Sequence, residues 1–150
     1  MENQLEQKFK EAFGKENEAA FFAPGRVNLI GEHIDYNGGL VMPSAITFGT
    51  YLLTAPNEEG VFRFRSVNFE ESADIPLQER YEKTGKEWFN YPLGVIHNLL
   101  QAGKSLSGLD LLFYGNLPIG AGLSSSASIE VVSAHAFNEL FSCGLSKLDI

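Results

Sequence analysis

Residues 109–144 read LDLLFYGNLPIGAGLSSSASIEVVSAHAFNELFSCG. Leu109 to Tyr114 is an apolar run broken only by Asp110, and it meets Gly115-Asn116-Leu117-Pro118, which reads as a sheet segment entering a loop. From about Ser125 to Phe141 the apolar residues follow a helical pattern, with Gly144 as its stop. The loop between them, Pro118 to Ala127, places two glycines and then three consecutive hydroxyls ahead of the first helical turn. Glycines let a backbone approach an anion closely, and unpaired amides at a helix N-terminus aim positive dipoles at it. This is a phosphate cradle in outline. No lysine follows the glycines, so the segment is not a P-loop, and its spacing is not that of a dinucleotide-binding fingerprint. A flexible turn before a Ser-capped helix fits the same letters, so the loop needs support from elsewhere in the chain.

That support comes from Gly25 to Gly39, GRVNLIGEHIDYNGG, which crowds one cation, two carboxylates, one imidazole and two amides into a glycine-bounded segment. A sugar hydroxyl both donates and accepts, and reading several hydroxyls at once calls for short, fixed carboxylates such as Glu32 and Asp35 with His33 between them. Each of these residues alone also fits a turn. Arg26 has two readings: a salt bridge to Glu32 or Asp35 that stiffens the turn, or a cation beside a transferring phosphate.

The rest of the chain alternates helices and strands. Asn3 can cap a helix in which Leu5, Phe9, Ala12 and Phe13 recur, with Gly14 as a stop. Ala19 to Phe22 reads as a strand feeding a turn at Pro24-Gly25. Further strands are expected at Thr50 to Ala55 and at Val61 to Ser66, where Phe62 and Phe64 alternate with Arg63 and Arg65, one face buried and one wet. Asn68 to Asn90 shows no clear pattern. A helix then runs from Asn90 to Gly103 with Tyr91, Val95 and Leu99 on one face and Pro92 in its first turn. Ser146 reads as the cap of another helix with Asp149 in its first turn, so the sequence ends as an element begins.

The 150 residues suffice for one sizeable core, with 44% hydrophobic residues. Eleven Lys and Arg against nineteen Asp and Glu give a formal charge of −8, which argues against nucleic acid or an anionic membrane as partner. An anionic ligand must be held locally. The single cysteine, Cys143, has no internal disulfide partner and reads as the end of a buried helix, which suits a reducing cytoplasm. The N-terminus lacks a signal-peptide core and no stretch approaches the ~20 apolar residues of a membrane span.

Both loops resemble signatures of the GHMP kinases, and Gly25 to Gly39 resembles the galactokinase signature along nearly its whole length. The similarity also takes in Ser66 in FRSVNF and Trp88 in EWFNY, and so extends over essentially the entire chain. It implies an α+β fold, a mixed β-sheet with helices packed on one face, and makes residues 1–150 a GHMP kinase N-terminal domain. It implies that Glu32, His33, Ile34 and Asp35 bind galactose and that Arg26 stabilises the transition state. Gly120, Ala121, Gly122, Leu123, Ser124, Ser125 and Ser126 would hold the ATP phosphates, with Ser126 the contact to Mg²⁺ and Ser66 a further nucleotide contact. Trp88 would border the adenine, or is a large core aromatic. The implied reaction is direct transfer of the γ-phosphate of ATP to the anomeric hydroxyl of α-D-galactose.

In the family the base aspartate and a metal-holding glutamate lie beyond the serine-loop helix, as do a second glycine-rich motif and the domain that covers the other wall of the cleft. Ile150 precedes all of them, so the isolated chain is expected not to turn over. Glu130 and Asp110 do not match those motifs. An N-acetylgalactosamine kinase and a non-catalytic, sugar-sensing relative remain as alternatives, and oligomeric state is not legible.

Overall fold

The computed structural model describes residues 2–31, 33–83, 85–117 and 125–150. In chain order these form helix α1 (Glu2–Phe13), strand β1 (Ala19–Asn28), a 3₁₀ turn (Asp35–Asn37), β2 (Pro43–Pro56), β3 (Val61–Ser66), β4 (Ala73–Pro76), α2 (Asn90–Gln101), β5 (Leu109–Gly115) and α3 (Ser125–Leu140). The strands make one sheet in the spatial order β1-β2-β5-β3-β4. Only β3 and β5 run parallel; the other three pairings are antiparallel. The sheet is therefore mixed, and the class is α+β, as the sequence implied.

Period-two alternation gives the sheet two apolar faces. Leu52, Phe62, Phe64, Leu111 and Phe113 join Leu93, Ile96 and Leu99 of α2 and Val132, Ala136 and Phe137 of α3 in the main core. The intervening Leu53, Ala55 and Leu112 meet Leu5 and Phe9 of α1. Helices on one face thus describes α2 and α3, whereas α1 covers the other. Phe9 is fully buried there, a burial that stabilises by about 1.5–3 kcal/mol.

Four local expectations change. β1 does not end at Pro24-Gly25: the pairing register shifts between Pro24 and Arg26 and the strand continues to Asn28. An edge strand tolerates a proline, which has no N–H to give a ladder, and the irregularity leaves one residue of β1 facing three of β2. β2 begins at Pro43, well before Thr50, because the hairpin with β1 runs past the end of β5. The apolar face of α2 is Pro92, Leu93, Ile96 and Leu99; Tyr91 is exposed. The face of β3 read as wet is only partly exposed. There Arg63 reaches the buried carboxylate of Asp110 at 3.2 Å, and Arg65 lies over the Phe13 ring.

The unpatterned stretch after Asn68 holds β4, a four-residue edge strand paired with β3. Cys143 is buried, but it lies beyond the end of α3. Ser146 reads as the cap of a helix, but residues 147–149 form a turn, in which its N–H donates to Asp149 Oδ2 at 2.8 Å and its carbonyl accepts the Asp149 N–H at 3.0 Å. Among the described residues no helix is long and apolar enough to cross a membrane.

Candidate functional site

Where the C-terminal ends of β3 and β5 face the first turn of α3, the side chains leave a cleft of about 160 Å³. Four residues singled out from the sequence line it together: Ser66, Trp88, Ser125 and Ser126. They come from β3, the segment before α2, and α3, and the parallel β3–β5 pairing brings the two strand ends level.

Trp88 is a large core aromatic, as one of its two readings had it. It is 8% exposed and packs edge-on against Phe113 at 5.3 Å within the core, and it also forms a cleft wall. Its indole N–H donates to the Glu71 carbonyl at 2.9 Å, which fixes the ring, and Phe69 stacks on it with the planes 18° apart. Ser66 Oγ accepts the N–H groups of Asn68 and Phe69 at 3.1 and 3.3 Å. Neither bond uses the serine's own proton.

Sequence reasoning missed Asn68, Phe69, Tyr91 and Ile129, which line the same cleft. Asn68 donates to the Gly115 carbonyl at 2.9 Å and accepts the Gly115 N–H at 2.7 Å, clamping the loop after β3 to the end of β5. No motif spacing could have found a contact between residues 47 apart.

The second group of residues lies at the tip of the β1–β2 hairpin. Arg26 is exposed on β1 opposite Ala45, and its guanidinium donates to Asn28 Oδ1 at 3.1 Å. The loop is closed at its base by Leu29 N–H to the Met42 carbonyl, 2.9 Å, and Met42 N–H to the Ile30 carbonyl, 3.0 Å. Inside it, His33 takes a left-handed backbone, φ 63°, an uncommon conformation for a side chain other than glycine. Its Nδ1 lies 3.1 Å from the Tyr36 hydroxyl, and its carbonyl accepts from Asn37 Nδ2 at 3.2 Å. The Ile34 carbonyl accepts two amides, from Asn37 and Gly39. The imidazole is thus presented at the surface by a turn held on both sides.

Arg26 and His33 do not line the cleft. The two groups are joined through α3, whose buried Ser128 bonds the Ala23 carbonyl of β1 at 2.8 Å. Glu32, Gly120, Ala121, Gly122, Leu123 and Ser124 lie outside the described residues, as does the side chain of Asp35.

Two reactive-looking groups are structural. Cys143 is buried, and burial pushes its thiol up against the opposing pull of Lys104, which disfavours the reactive thiolate. Asp110, 1% exposed, is held by Lys15 at 2.8 Å and by Arg63 and Asn57, on the sheet face away from the cleft.

Among the described residues no group of three His, Cys, Asp or Glu side chains could hold a metal ion. The Ser126 hydroxyl is a hard oxygen donor at the cleft, which fits Mg²⁺ arriving with phosphates and not a protein-built cage.

The galactokinase galactose-binding signature matches residues 7–56, and the GHMP kinases N terminal domain matches residues 90–150. A galactokinase of Streptococcus thermophilus is 49% identical over 99% of the chain, and one of Enterococcus faecalis 44% identical over all of it. The chain spans 39% and 40% of their respective lengths. The crystal structure of Lactococcus lactis galactokinase complexed with galactose superposes with a TM-score of 0.90, at 40% identity, over 98% of this chain and 39% of that one. Methanococcus jannaschii mevalonate kinase, at 24% identity and a TM-score of 0.74 over 85% of this chain and 42% of its own, shares the fold.

Proposed function

The chain belongs to the GHMP kinase family and corresponds to the N-terminal part of galactokinases, and from that premise we propose that the whole protein transfers the γ-phosphate of ATP to the anomeric hydroxyl of α-D-galactose. The observation that carries the reading is the convergence of Ser66, Trp88, Ser125 and Ser126 on one cleft at the N-terminus of a 16-residue helix. At about 160 Å³ the cleft is below the ~300 Å³ at which pockets enclose a drug-sized ligand. It takes one ring system, the adenine, against Trp88, Tyr91 and Phe113, and leaves the phosphates to run along the first turn of α3.

There the unpaired amides and the Ser125 and Ser126 hydroxyls meet negative charge without a basic surface, which suits a chain of net charge −8. Mg²⁺ supplies charge neutralisation of the phosphates, with Ser126 as its contact in this chain. Glu32, His33, Ile34 and Asp35 hold galactose at the hairpin tip. Arg26, on the rigid strand below that tip, meets the charge that spreads over the transferring phosphoryl group. The reaction belongs in the cytoplasm, where ATP is available and Cys143 stays reduced.

The test is galactose-dependent ADP release by the full-length product of the gene with Mg-ATP, run beside N-acetylgalactosamine and other hexoses. Release with galactose alone supports the reading; preference for N-acetylgalactosamine redirects it within the fold; sugar binding without release leaves a sensor. The 150 residues by themselves are expected to stay at background.

A further inference from the structure

The step from β5 to α3 crosses residues 118–124, and the described residues on either side of it are fastened to one place on the sheet. Upstream, Asn116 donates its backbone N–H to the Gly49 carbonyl at 3.1 Å and accepts the Gly49 N–H on Oδ1 at 2.7 Å. Downstream, Ser128 Oγ lies 2.8 Å from the Ala23 carbonyl oxygen and 3.0 Å from Thr50 Oγ1. A serine hydroxyl has one proton, so Ser128 donates to Ala23 and accepts from Thr50. The two attachment points, Gly49 and Thr50, are consecutive residues of β2, and Ala23 is the register partner of Thr50 on β1.

Ser128 and Thr50 are each 3% exposed. Buried hydroxyls carry a desolvation penalty that a bond only offsets, and alanine or valine would fill similar space, so packing alone does not account for this pair. Their placement does. Ser128 is two residues after Ser126, and Ala23 is three residues before Arg26. The Thr50–Ser128–Ala23 chain is therefore a short, buried path between the phosphate-side hydroxyls and the strand that carries the cation.

We propose that Ser128 is a positioning residue for phosphoryl transfer: it ties the first turns of α3 to β1 and so sets the distance between Ser125 and Ser126 on one side and Arg26 on the other. The role rests on the sugar-kinase reading above. It acts on transition-state geometry, so it concerns turnover more than binding, since each substrate's own contacts stay intact when the two halves move slightly apart.

The experiment uses Ser128→Ala and Thr50→Val, singly and together, in the full-length product of the gene, with ADP release at varied galactose and Mg-ATP and a thermal melt of each protein. Each single change lowers kcat about tenfold at a temperature where the melt shows the protein folded. For Ser128→Ala, KM for either substrate moves by less than about threefold. The double variant falls no more than about twofold below the lower single, because both changes remove one shared bond. A Ser128→Ala kcat within about twofold of the unsubstituted protein overturns the proposal, as do losses that multiply in the double variant, which is the behaviour of two independent packing defects. An unsubstituted protein that releases no ADP with galactose overturns the sugar-kinase reading and this role with it; an active protein indifferent to Ser128→Ala overturns this role alone.

Discussion

Gly31→Ala and Gly38→Ala form a matched pair that tests whether the hairpin tip is a preformed sugar site. Both glycines have positive φ, 100° and 76°, so alanine costs about 1 kcal/mol of backbone strain at either. They differ in space. An added Cβ at Gly31 would lie 2.7 Å from the Leu40 carbonyl oxygen and 2.9 Å from the Val41 Cα, whereas at Gly38 nothing lies within 4 Å. Those two backbone atoms can withdraw only if the base of the loop opens, which loses the Leu29–Met42 and Met42–Ile30 hydrogen bonds at about 1–3 kcal/mol together. Leu29, Ile30, Leu40 and Met42 are more than half exposed, so the strain is relieved locally and not by unfolding the core. It then appears as a reduced fraction of closed, binding-competent loop. The sum, about 2–4 kcal/mol, corresponds to galactose binding roughly 10²-fold weaker for Gly31→Ala, against about fivefold for Gly38→Ala. Isothermal titration of the full-length product with galactose measures both, with circular dichroism melts as the check on global folding. Equal losses at the two sites, or unchanged affinity for Gly31→Ala with an unchanged melt, refute the reasoning.

Removing one transition-state contact costs on the order of 3 kcal/mol, so Arg26→Ala lowers kcat about 10²-fold and raises KM by much less; initial-rate kinetics with an unchanged kcat would exclude the role. Asp110→Asn leaves Lys15 and Arg63 without a shared anion, but these cations are 39% and 23% exposed and remain partly hydrated. The usual 3–5 kcal/mol for breaking a buried pair is therefore discounted to about 2 kcal/mol. At about 2–4 °C per kcal/mol the melting temperature drops by roughly 4–8 °C, and a drop under about 1 °C would show that solvent already serves both cations. Burial raises the Cys143 thiol above its ordinary range, so the folded state favours the protonated form. That stability is complete below the ordinary thiol range and is lost as pH rises through the raised value. Iodoacetamide at pH 8 should label Cys143 slowly in the folded protein and quickly in urea, and equal rates would place the thiol at the surface.

Much of the scaffold was legible because its signals are local. The alternation of Phe62 and Phe64 with Arg63 and Arg65 located β3 to the residue, and the glycine-serine loop predicted both the strand before it and the helix after it. The buried face of α2 was misread because the sequence offers two overlapping apolar stripes, and which one is buried depends on where α3 lies. Pro24-Gly25 looks like a turn in any one-dimensional reading; it is a strand only because β1 is an edge and has no ladder partner on its outer side. For Asn68, Asn116 and Ser128 no local pattern names a partner. Each bonds backbone groups 47, 67 or 105 residues away, so their importance exists only after folding.

The extension of β2 that escaped the sequence reading is what makes a site out of two loops. Its first half, Pro43 to Gly49, pairs only with β1 and carries the hairpin whose tip holds the sugar-side residues; its second half, from Thr50, pairs with β5 and contributes Thr50 to the cleft wall. Ala45, opposite Arg26, and Thr50, opposite Ala23, sit on one continuous strand. Between those two pairs the register shifts, so the separation between cation and cleft is set by one irregular stretch of hairpin with ladder pairs on both sides of it. A strand register cannot drift by fractions of a residue, because a slip of one residue turns every side chain to the opposite face. Two loops joined by coil would hold their spacing only on average. The hairpin on β2, with α3 bonded across to β1 and β2 by Ser128, fixes the described parts against each other, and the proposed transfer between two bound substrates requires such fixed spacing.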